Sequence, residues 1–181
     1  MTEPLVLTAM AHPLRRRLLD VLRVHGPATV GHLASRTDQA AGNVSHHMRI
    51  LASAGLVEEA PELARDRREH WWRRPDRPIS WSTRTDDPET EAIALAASGL
   101  NLERAVAFVR AFAQLPPEER APWTDATFAT DSWLRLTPDE LREYSAEMTA
   151  LIQRWAGRDL PDDGEEREPV FTFAYGVPAR P

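Results

Sequence analysis

Asn43, Ser45, His46 and Arg49 recur within a stretch that holds no acidic residue from 39 to 54. Val44, Met48 and Leu51 lie among them at i, i+4 and i+7. That spacing makes one apolar face of a helix and turns the four polar residues the other way. Arginine can read a guanine edge and asparagine an adenine edge, while serine and histidine reach bases or phosphates. A helix face that is merely solvated is usually rich in Glu and Lys, and this one is not. The chemistry that fits is recognition of a nucleic-acid duplex.

The neighbouring elements are those such a helix needs. Val30, Leu33 and Ala34 give a small apolar face to a preceding helix, which Thr29 is placed to cap. Residues 38–42 form the turn, and Gly55 stops the second helix. Two helices so spaced make a helix-turn-helix, whose second helix enters the major groove. Upstream, residues 5–10 read as a short helix. Pro13 opens another, with Leu14, Leu18, Leu19, Val21 and Leu22 as its stripe, and His25-Gly26-Pro27 ends it. Arg15, Arg16, Arg17 and Arg23 lie along it with two readings: phosphate contacts, or a surface face with snorkelling stems. Downstream, residues 56–60 and 69–73 read as two strands of a hairpin wing with its tip at 61–68. Arg65, Arg67 and Arg68 sit where a wing meets the backbone or minor groove. Trp71 and Trp72 must face opposite sides of the return strand, so one packs inward.

The stretch MAHPLRRRLLDVLRVHGPATVGHLASRTDQAAGNVSHHMRILASAGLVEEA resembles the winged helix-turn-helix domain of ArsR-type bacterial transcriptional regulators. His12-Pro13 before a basic amphipathic helix carries the resemblance, with Leu33-Ala34, Val44-Ser45-His46, Met48, and Ala54-Gly55-Leu56-Val57. It covers residues 5–75. It implies a homodimer that binds double-stranded DNA at a palindromic operator and usually represses. The family's base-contacting positions fall on Gln39, Asn43, Ser45, His46 and Arg49.

Net charge is -6 over 181 residues, which alone disfavours a nucleic-acid partner. Its distribution reverses that reading. Residues 1–84 hold 13 Arg against 9 acids, and residues 85–181 hold 9 Arg against 19 acids. A basic front and an acidic back suit a DNA-facing domain with a solvated distal part. Cysteine is absent, which excludes disulfides and thiolate metal sites. No apolar run is long enough to span a bilayer and the N-terminus is not a signal peptide, so a cytoplasmic protein with no membrane partner is expected.

The fold class expected is mainly α with a small β-wing. Residues 1–85 form a winged helix-turn-helix DNA-binding domain, and residues 86–181 a helical dimerisation or effector region ending in a strand. A long helix spans 88–114, with Ile93, Ala96, Leu100, Ala105, Val106, Val109 and Phe112 among its apolar residues. Small residues over 92–97 permit close helix approach. Residues 123–136 read as irregular or a short helix, with Trp123, Phe128 and Trp133 in core contacts, or lining a pocket for a small apolar effector. Thr137-Pro138-Asp139-Glu140 is a helix start with cap, proline at the first position and acid at the third. Leu141, Tyr144, Met148, Leu151 and Trp155 then make one seam for packing on another helix. With Leu102, Val106 and Val109 they are the candidate dimer interface. Residues 159–168 form an acidic loop. Residues 170–175 read as a terminal strand, with 79–82 as its candidate partner.

The histidines are 12, 25, 32, 46, 47 and 70, and no spacing among them or the carboxylates marks a metal site. His47 is expected to be partly buried or phosphate-facing. No cofactor motif and no catalytic constellation is present, which points away from an enzyme. Two alternatives to a DNA-binding regulator stand: a winged-helix module that binds protein only, and a regulator gated by a small apolar molecule.

Overall fold

Two N-terminal helices meet at a proline. α1 (Glu3–Met10) ends just before α2 (Pro13–His25), and His12 caps α2 by accepting the Leu14 N–H on Nδ1 at 3.2 Å. The computed structural model describes residues 3–66, 69–75 and 87–180. β1 (Ala28–Thr29) follows, then α3 (Val30–Thr37) and α4 (Ala41–Ser53). β2 (Glu58–Glu59), a 3-10 turn at Pro61–Leu63 and β3 (Trp71–Arg73) form the wing. The three strands pair antiparallel in the order β1-β3-β2, with Ala28 opposite Trp72 and Glu59 opposite Trp72 on the other side. Beyond lie α5 (Pro88–Gln114), α6 (Pro117–Arg120), a 3-10 turn at Ala121–Trp123 and α7 (Pro138–Ala156).

The chain divides into two compact units, Met1–Ala107 and Phe108–Pro181, with the division inside α5. The first has one core. Leu7 from α1, Leu18 and Leu22 from α2, Leu33 from α3 and Val44, Met48 and Leu51 from α4 meet there. Trp72 closes it from the wing, and Ala94 and Ala97 of α5 are fully buried against it. The small residues of 92–97 thus do what their size permits: a helix of alanines approaches closely.

Arg15 and Arg16 correct both readings drawn from the sequence. They are 8% and 4% exposed, so neither is a surface face nor a phosphate contact. α1 leaves its last carbonyls without helical partners, and Pro13 has no N–H to return to Ala9. Arg15 fills that place: its Nε donates to the Ala9 carbonyl and its Nη2 to Thr8, both at 2.6 Å. Arg16 donates from Nε to Met10 at 2.6 Å, and reaches α5 at the Ala97 carbonyl (2.5 Å) and Asn101 Oδ1 (2.8 Å). Asp20 takes a bidentate ion pair from Arg104 of α5, at 2.7 Å from Nε. Arg17 and Arg23 are exposed, as snorkelling or phosphate-contacting residues would be.

α7 starts as its residues dictate. Thr137 Oγ1 accepts the Glu140 N–H at 3.3 Å, and Glu140 Oε2 accepts the Thr137 N–H at 2.7 Å, a complete capping box. The second unit otherwise departs from expectation. Phe128 and Trp133 are 78% and 67% exposed, and Trp123 is only half-buried, so they form no core. The last turns of α5, α6, α7 and an irregular tail give them nothing to bury against. Residues 170–175 form no strand with any of the described residues. Phe171 rests instead on Phe108 (4.8 Å between centroids) and Phe173 (6.1 Å). The partner expected for it, 79–82, lies outside the described residues.

One further expectation changes. α5 is long and apolar enough to cross a membrane by length and composition, with a mean hydropathy of 1.4 over 18 residues. Helices of soluble proteins pass the same test, and this one seats Ala94 and Ala97 in a protein core. Length and composition therefore assign it no membrane.

Candidate nucleic-acid interface

α3 and the turn after it fix where α4 points. Thr29 Oγ1 accepts the His32 N–H at 3.3 Å and starts α3. The buried Thr37 hydroxyl donates to the Leu33 carbonyl at 2.7 Å. Asp38 takes a left-handed conformation (φ 54°), and the Gln39 N–H returns to Ala34 at 3.0 Å, so the chain reverses within three residues. Ala40 begins α4 with no side-chain oxygen for the first-turn N–H groups. Gly55, at φ 65°, ends it with a Leu56 N–H to Leu51 bond of 2.9 Å.

On α4 the two faces separate cleanly. Val44, Met48 and Leu51 are wholly buried. Gln39, Asn43, His46 and Arg49 are exposed and Ser45 is half-exposed, so all five share one accessible ridge. Neighbours on it are pre-oriented: Asn43 Nδ2 donates to Gln39 Oε1 at 3.0 Å and Arg49 Nη2 to Ser45 Oγ at 3.3 Å. Both bonds are exposed and weak, so base edges could replace them at little cost.

His47 is buried on the inner side of this ridge, 4.5 Å from the His12 ring and 5.4 Å from His46. Its Nδ1 has no partner. Burial first, and then the nearby His12 and Arg15, hold its pKa below the ordinary histidine value. Burial and Arg15 do the same to His12. Among the described residues no group of three or more His, Asp or Glu is arranged to hold a metal ion.

In the wing, Trp72 is the inward tryptophan and Trp71 lies half-buried. Arg65 is exposed. Arg67 and Arg68, placed at the tip by the sequence, lie outside the described residues. Arg73 was not singled out by the sequence and is committed within the wing: it pairs with Glu58 at 2.7 Å and with Glu62. Trp71 Nε1 and the Arg65 N–H both donate to Glu69 Oε2, at 3.2 and 3.0 Å. This junction was also not foreseen, and no spacing rule would have shown it.

A basic, two-helix reading unit with a two-stranded wing in a three-stranded sheet defines a winged helix-turn-helix domain. A family model described as a helix-turn-helix domain matches residues 10–60. One solved structure, described as a "possible transcriptional regulator for arsenical resistance", is 30% identical over 56% of this chain and 93% of that chain, with a TM-score of 0.34. No curated protein matches. The chain belongs to the ArsR-type winged helix-turn-helix regulators.

Proposed function

We propose that this protein is a homodimeric repressor that reads a near-palindromic operator in double-stranded DNA with the ridge of α4. The observation that carries the reading is the ridge itself: five hydrogen-bonding side chains with no acid among them, four exposed and Ser45 half-exposed, over a buried opposite face of Val44, Met48 and Leu51. Gln39, Asn43, Ser45, His46 and Arg49 would meet base edges and phosphates, and Arg65, Arg67 and Arg68 the backbone beside the wing. Residues 1–85 are the DNA-binding part, and residues 86–181 the part that dimerises or takes an effector. For self-association the reading points to Leu102, Val106 and Val109 of α5 and to the seam of α7. Tyr144, Leu151 and Trp155 there are exposed, and Leu141 and Met148 are half-buried. Such a protein works in the cytoplasm and needs no cofactor.

Selection of bound sites from random duplex DNA tests this. The expected result is a two-fold symmetric site whose half-sites lie about 10 base pairs apart, or a multiple of that. No enrichment at low salt would overturn the reading and favour a module that binds protein alone. A regulator gated by a small apolar molecule differs from both: a ligand that binds it raises its melting temperature by mass action.

A further inference from the structure

We propose that Glu69, an acid on a wing built to approach phosphates, is a positioning residue for DNA binding, holding the tip closed so that Arg65 can make its contact. The inference rests on the DNA-binding reading above. A single oxygen of Glu69 accepts two donors from the ends of the structure it closes, the Arg65 N–H at 3.0 Å and Trp71 Nε1 at 3.2 Å. The Glu69 N–H in turn donates toward Asp66, at 3.2 Å to Oδ1 and 3.3 Å to its carbonyl. Trp71 extends the chain of contacts to the helix-turn-helix: its ring stands edge-on to His32 of α3, 5.7 Å between centroids and 72° between planes. The path therefore runs from α3 through Trp71 and Glu69 to Arg65. The Arg65 N–H and then the Trp71 indole keep the Glu69 carboxyl below the usual carboxylate range.

Simple electrostatics and this geometry predict opposite outcomes. An acid near phosphates repels them, so on charge alone any neutral replacement should tighten binding. If Glu69 is a clamp, the replacement must keep an acceptor oxygen. Both donors use the same oxygen, so Glu69→Gln can retain them without the charge, while Glu69→Ala loses both.

The test is a polarisation titration of a labelled duplex bearing the enriched site, over a salt series, with wild type, Glu69→Gln, Glu69→Ala and Trp71→Phe. Glu69→Gln should bind as wild type or about two-fold tighter, with an unchanged salt slope. Glu69→Ala should bind roughly five- to ten-fold weaker, with its slope flatter by about one as the Arg65 phosphate contact is lost. Trp71→Phe keeps the ring on His32 but drops the donor, and should fall between them. Melting temperatures check that each variant folds. Should Glu69→Ala fail to fold, Trp71→Phe against Glu69→Gln carries the same contrast. Equal tightening by Gln and Ala, or equal loss by both, overturns the clamp. If wild type itself binds no duplex, the DNA-binding reading falls and takes the clamp with it, a result separate from any difference among variants.

Discussion

Replacing Arg15 by methionine tests whether the basic helix α2 serves the fold or faces DNA. Methionine fills much of the same space, so the change is mainly polar. Two carbonyls, Thr8 and Ala9, lose the donors that Arg15 brings to 2.6 Å. The buried Ala9 carbonyl left unpaired costs about 1–3 kcal/mol, and the part-buried Thr8 carbonyl, which water can reach, costs less. With the packing retained by methionine, the net loss is about 2 kcal/mol. At about 4 °C per kcal/mol for a unit of this size, the melting temperature should fall by about 8 °C. Thermal unfolding followed by far-UV circular dichroism reads this directly. Arg17→Ala, on the same helix but exposed, should change it by no more than about 2 °C. If Arg15→Met melts with wild type while losing DNA affinity, the arginine acts outward and the burial argument is wrong.

Other outcomes follow from the same structure. His12 and His47 are held below the ordinary value of about 6.5. As pH falls from 7 toward 5 the unfolded chain therefore binds protons before the folded one does, and stability drops. Melting temperature should decline over that range in wild type and decline less in His47→Phe; equal declines would remove the histidine pair as the cause. Thr137→Ala removes the capping box of α7, and amide exchange in its first turn should rise about five-fold. Unchanged exchange there would show that the helix start does not depend on that cap.

How much of this was readable beforehand depended on whether local rules decided the outcome. The inward face of α4 follows from Val44, Met48 and Leu51 at helical spacing, and the outward placement of Asn43, His46 and Arg49 follows from that. Thr137 with Glu140 announced the start of α7 because a capping box involves only neighbours. Arg15 and Arg16 were misread because their charge suggests solvent. Their partners are the carbonyls of a helix cut short by a proline and an alanine more than eighty residues away. Phe128 and Trp133 were misread for the converse reason. Aromatic and β-forming residues predict burial and pairing only where a partner exists, and pattern carries no information about partners. The wing fell between these cases. Its strands and inward Trp72 were legible, but the capture of Arg73 by Glu58 and Glu62 was not.

The central claim is that the ridge of α4 reads DNA. The most direct measurement is the affinity of Arg49→Ala and His46→Ala for the enriched duplex, beside wild type at one fixed salt concentration. A base contact contributes about 1–3 kcal/mol, so each variant should bind roughly ten- to a hundred-fold weaker with its fold intact. Affinities equal to wild type in both variants would contradict the account.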